Sequence, residues 1–166
     1  KLPKQVLPVR DPFPASQAKL NQRIVVESDV QNQTVMTTFP SVAAGHSDSY
    51  ALDLLAAVLG NGSSSRLHRE LVYKKEKASF VSVDNSCLKE SGYFVLAAAM
   101  MPGLNTEIAE KEFLQQVEQV QKNGIKESEL KKAKNQVMKD FVEGLMTIDG
   151  RAEILALNEI VLGDYQ

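Results

Sequence analysis

Asp48-Ser-Tyr-Ala-Leu-Asp-Leu-Leu-Ala-Ala-Val-Leu-Gly-Asn-Gly-Ser-Ser-Ser-Arg-Leu-His-Arg-Glu-Leu71 is the stretch that decides the reading of this chain. Apolar residues at Leu52, Leu55 and Leu59, and again at Ala51, Leu54 and Val58, recur at three-and-four spacing and predict an amphipathic helix. Gly60, Asn61 and Gly62 are expected to end it, because they tolerate the left-handed backbone of a helix C-terminus. Ser63 or Ser64 is expected to cap a second helix whose apolar stripe is Leu67 and Leu71. The unit is a packed helix pair that carries no catalytic group.

Upstream, Ile24, Val25 and Val26 after Arg23 predict a strand, followed by a turn near Asp29 to Asn32 and a second strand from Thr34 to Phe39. Pro40 and Gly45 mark the exit toward the first helix, with Ser47 or Asp48 as its expected cap. Downstream, Ala78 to Val83 and Gly92 to Met100 predict two more strands. The second is almost continuously apolar, which predicts cover on both faces. Pro102 and Gly103 close it. Ile108, Phe113, Val117 and Val120 then stripe a helix that Gly124 breaks. Another restarts at Glu127 with Leu130, Ala133, Val137, Phe141 and Leu145 in line, and a last helix carries Ala152, Leu155 and Leu162 up to Gly163. Strands with helices on one side of a mostly antiparallel sheet make a two-layer α+β domain, expected over residues 21–166. Pro3, Pro8, Pro12 and Pro14 bar helix from residues 1–20, which read as an extended linker.

Ser64-Ser65-Arg66-Leu67, the passage from Leu71 to Val83 and Ser91-Gly92-Tyr93-Phe94-Val95 together resemble the pitrilysin and insulinase-like zinc metallopeptidases, the group that includes the mitochondrial processing peptidase. The resemblance runs from about Gln22 to Tyr165. It implies the non-zinc-binding C-terminal domain of one half of such a protein, with the mitochondrial processing peptidase-like fold. Those enzymes bind zinc through a His-x-x-Glu-His helix, and this chain has only His46 and His68, at no spacing that puts both on one helical face. The half without zinc often carries an arginine soon after the Ser-Ser-Arg-Leu helix and a tyrosine seven positions on, both reaching the substrate. Those positions fall on Val72 and Ser79, which can do neither job.

The inventory agrees with one domain outside the nucleic-acid binders. The chain has 166 residues, a net charge of -2 and 43% hydrophobic residues, with no apolar run long enough for a membrane span. Cys87 is alone and expected to be an idle thiol. His46 and His68 are expected to be solvated or locally bonded imidazoles. Asp48 is expected to meet a helix N-terminus, and Asp53 to lie on a solvated face. Gly60-Asn61-Gly62-Ser63-Ser64 lacks the Gly-Lys-Ser/Thr ending of a phosphate loop. Lys74-Lys75-Glu76-Lys77 reads as a wet helix end against which Tyr73 is expected to pack, and Arg66 as a surface or inter-helix ion-pair residue, with Arg69 nearby outside any pattern.

No catalytic, cofactor-binding or metal-ligating residue is therefore assigned. The resemblance implies zinc in the parent protein but none in this chain, a homologous zinc-bearing domain in the same polypeptide or a partner subunit, and peptide substrates. A homodimer is open to it, and the compartment is open between bacterial periplasm and cytoplasm. The other reading is a domain of an inactive structural or assembly subunit of the same family.

Overall fold

The computed structural model describes residues 21–163; residues 1–20, expected as a linker, and 164–166 lie outside the described residues, as does the side chain of Leu162. Three antiparallel strands form the sheet: β1 (Thr34–Ser41), β2 (Ala78–Cys87) and β3 (Gly92–Met100), in the order β1-β3-β2. β2 and β3 are a hairpin closed by Leu88 N–H donating to Ser91 O at 2.7 Å. β1 lies along the other side of β3, with Met36 opposite Ala97 and Thr38 opposite Val95. The helices are α1 (Ser47–Gly60), a π-helix (His68–Lys74), α2 (Glu107–Asn123), α3 (Glu127–Leu145) and α4 (Ile148–Leu157), which runs on into a second π-helical stretch (Asn158–Leu162).

Alternation along β3 builds the core. Phe94, Leu96, Ala98 and Met100 are buried on one face, where they join Leu59 of α1, Leu71 of the π-helix, Leu67 just before it, and Phe113 of α2. The opposite face is bare: Tyr93 is 42% exposed, Met36 66% and Phe80 59%, around half-buried Val95, Ala97 and Ala99. The expected cover on both faces of β3 is thus wrong for the described residues. Alanines at 97 and 99 make the strand read as apolar although they stand on the uncovered side.

Other expectations also fail for identifiable reasons. Residues 23–27 form no strand, since no neighbour offers them a ladder. Arg23 instead ties the stretch to α2 through Glu110 at 2.9 Å and Thr106 at 3.2 Å, and Ile24, Val25 and Val26 are each more than 75% exposed. The cap of α1 is His46, one residue earlier than expected: its backbone is still extended, and its Nδ1 accepts from Asp48 N–H at 3.1 Å. Neither Ser63 nor Ser64 caps the next helix. Ser65 turns its hydroxyl back to donate to Gly62 O at 2.8 Å, while its own carbonyl accepts from Arg69 N–H. The stripe on α3 is only partly covered, with Leu130 and Leu145 half-buried and Val137 and Phe141 exposed. Ala133 alone in that helix is buried, against Ala57 and Val58 of α1, whereas Phe141 is 53% exposed.

The π-helix ends where Lys75 N–H donates to Glu70 O, five residues back, and Glu76 follows at a φ of +49°. A left-handed conformation costs an L-residue with a Cβ roughly 1–2 kcal/mol, from which the extra chain entropy of glycine must be subtracted. Glu76→Gly is expected to raise stability by about 0.5–1 kcal/mol in urea denaturation. A loss would show that the Glu76 side chain holds something more than the turn costs.

Candidate functional site

The residues singled out in the sequence do not converge. His46 serves as a cap on α1, and His68 opens the π-helix with its Nδ1 buried and without a hydrogen-bond partner among the described residues, so the expected local bond to that atom is absent. Asp53 does not sit on a solvated face. It accepts from Asn85 Nδ2 at 2.7 Å, and Asn85 Oδ1 in turn accepts from Ser41 Oγ at 2.6 Å, so a chain of side chains ties α1 to β2 and β1. Cys87 is a free, half-buried thiol 3.3 Å from the same amide. Among the described residues no group of three or more His, Cys, Asp or Glu side chains is placed to hold a metal ion. The donor set therefore does not fit the zinc that the resemblance places in the parent.

Val72 packs partly buried against the core, and Ser79 donates its hydroxyl to Ala99 O at 3.3 Å. Tyr73 is 78% exposed and does not pack along the helix end as expected. Lys75 is more than a wet lysine. Its Nζ reaches Glu112 of α2 at 2.5 Å, and Gln116 Nε2 donates to the other oxygen of that carboxylate at 2.8 Å. Glu112 is 4% exposed and Gln116 5%, which makes this the most deeply buried polar group pair in the helical layer described. Sequence reasoning passed over it. The available signal was that Glu112 and Gln116, four apart, flank Phe113 on the buried stripe of α2.

Arg66 makes the inter-helix ion pair expected of it. Its Nε and Nη2 donate to the two carboxylate oxygens of Glu129 at 2.9 and 2.7 Å, and Nη2 also reaches Gly124 O at 3.3 Å. The fork clamps the start of the π-helix to the start of α3. Hydrogen bonding to Arg66 is the main cause that holds the Glu129 carboxyl down to about 2; burial opposes it, and the Lys126 N–H at 3.0 Å assists. Because the folded value lies below that of the unfolded chain, the stabilisation is complete above pH 4.5 and is lost as pH falls toward 2. Glu129→Gln is expected to cost about 2 kcal/mol near pH 7, less than the full shift implies because the pair is partly solvated. The gap between variant and parent should close on acidification. A pH-independent gap would assign the effect to packing.

These residues border a polar cavity of about 320 Å³ between the π-helix, α2 and the start of α3, lined by Arg66, Arg69, Lys75, Glu112 and Gln116 among others.

Comparison with known proteins gives a consistent picture. The family profile described as peptidase M16 inactive domain matches residues 1–137. The zinc protease PqqE of Helicobacter pylori (strain ATCC 700392 / 26695) is 33% identical over 148 residues, 86% of this chain and 33% of that protein. The crystal structure of a protease from Helicobacter pylori matches with a TM-score of 0.73 at 32% identity, over 84% of this chain and 35% of that one. A proposed zinc protease of Bordetella pertussis Tohama I matches with a TM-score of 0.67 at 25% identity, over 80% of this chain and 72% of that one. The chain thus spans about a third of the length of the Helicobacter pylori proteins it matches.

Proposed function

Because this chain belongs to the peptidase M16 inactive-domain family, we propose that it is the non-catalytic structural domain of a zinc-dependent peptidase, paired with a homologous zinc-bearing domain and forming part of a peptide-binding chamber. The bare face of the sheet carries this reading. Small and apolar side chains at Met36, Val95, Ala97 and Phe80 stand in contiguous strands with no helix over them among the described residues. Such a surface suits a chamber wall or a domain contact, and β1 and β2 are both sheet edges to which an extended peptide can add through backbone hydrogen bonds.

Zinc would be held by the partner domain. Val72, turned into the core, and Ser79, bonded to its own sheet, supply none of the long cationic or phenolic reach that the zinc-free half of such enzymes uses. This supports placing the chain in the half that bears the metal, downstream of the zinc domain and joined to it by residues 1–20. Exposed apolar residues along α3 and α4, such as Met138, Met146 and Ile148, support self-association when the partner is absent.

The chain alone is expected to bind no stoichiometric zinc after dialysis and to hydrolyse no peptide. Co-produced with the segment encoded immediately upstream, it should yield a complex that holds one zinc and hydrolyses peptides until a chelator is added. Zinc-dependent turnover by the chain alone, or an upstream segment without His-x-x-Glu-His, would overturn the reading.

A further inference from the structure

We propose that the polar cavity between the π-helix and α2 binds the C-terminal carboxylate of a peptide, with Arg69 as its anchor. The cavity, at about 320 Å³, is large enough for a few-residue ligand. Its lining has four cationic side chains, Arg66, Arg69, Lys75 and Lys126, against three carboxylates, Glu70, Glu112 and Glu129. Each carboxylate is already held: Glu129 by Arg66 at 2.7 Å, Glu112 by Lys75 at 2.5 Å, and Glu70 by Lys74 at 2.6 Å. Arg69 approaches a carboxylate only at 4.0 Å, at Glu70, and makes no side-chain hydrogen bond among the described residues. A half-exposed guanidinium with its donors free, in a cleft whose acids are spoken for, offers a bidentate seat to one incoming carboxylate.

The rest of the lining selects for an amide beside that carboxylate. Gln116, almost fully buried, donates its Nε2 to Glu112, which leaves its carbonyl oxygen able to accept an N–H from the cavity. Gln115, Gln119 and Asn123 repeat at four-residue spacing along α2, a row of amides about 12 Å long at helical rise. An extended peptide advances about 3.3 Å per residue, so three or four residues fit the row. The site lies in the helical layer, away from the bare sheet face, and stands or falls independently of the chamber.

The test is an NMR titration of the ¹⁵N-labelled full chain, following Arg Nε and the Gln and Asn side-chain amides. The probes are N-acetyl-trialanine, its C-terminal amide, and inorganic phosphate. Saturable shifts at Arg69, Gln116 and Gln119 are expected with the acid, with affinity at least tenfold weaker for the amide. Arg69→Gln should abolish the response and Arg69→Lys should retain part of it, while the unchanged backbone spectrum of each reports that the fold is intact. Equal response to acid and amide, tighter response to phosphate, or no saturable shift with about 10 mM acid would overturn the proposal.

Discussion

Gly60→Ala is expected to destabilise the chain by about 3 kcal/mol, the upper end for overpacking a core. Gly60 is the last residue of α1 and is buried, and a Cβ built there would run into both the side chain and the backbone nitrogen of Val83 in β2. Side chains can rotate away; a strand held in register cannot, since Val83 is paired with Leu96 of β3. The methyl therefore has to push α1 off the sheet, and the contacts of Leu59, which is fully buried, loosen with it. A double-mutant cycle with Val83→Ala separates the two obstacles. The pair should lose less than the sum of the single losses, because removing the Val83 branches opens part of the space, yet should not recover fully while the backbone nitrogen stays. Urea denaturation midpoints measure all three. A single variant within about 0.5 kcal/mol of the parent would mean that α1 does not approach β2 this closely.

The same glycine shows what was legible in the sequence and what was not. Gly60, Asn61 and Gly62 were expected together to supply the left-handed turn; it falls on Gly62, at a φ of +82°, while Gly60 is needed for close approach. A sequence shows that a glycine is present without showing which of its two freedoms is used. Gly92–Met100 was legible at both ends, because Gly92 and Pro102 punctuate a long apolar run. So was α2, with its stop at Gly124, whose φ of +70° needs glycine. Ile24 to Val26 carried the same β-branched signal as real strands, but a strand exists only with a neighbour, and propensity does not report one. The ion pair of Lys75 with Glu112 joins residues 37 positions apart, beyond any local pattern. Charged residues at the edge of an apolar stripe look solvated until the fold places their partners.

Phe113→Ala is expected to cost about 3–5 kcal/mol, the largest single loss among the substitutions considered. Phe113 is fully buried in the core that contains Val35 of β1, Leu96 and Met100 of β3, and Leu71 of the π-helix, so its ring lies where three parts of the fold meet. Truncation removes apolar area from that junction and leaves a cavity that α2 cannot close by shifting. Its next buried neighbour on the helix, Glu112, is held in place by Lys75 and Gln116. A loss of this size is a large fraction of the roughly 5–15 kcal/mol that stabilises an ordinary domain, so the variant should unfold at a markedly lower urea midpoint. Phe113→Leu, which keeps most of the volume, should lose less than about 1.5 kcal/mol. Leu114 is 51% exposed on the same helix, and Leu114→Ala is the control, expected within about 0.5 kcal/mol of the parent. If Phe113→Ala and Leu114→Ala lost equal stability, α2 would have to be rotated about its axis relative to the sheet, and the polar cavity along its neighbouring face would move with it.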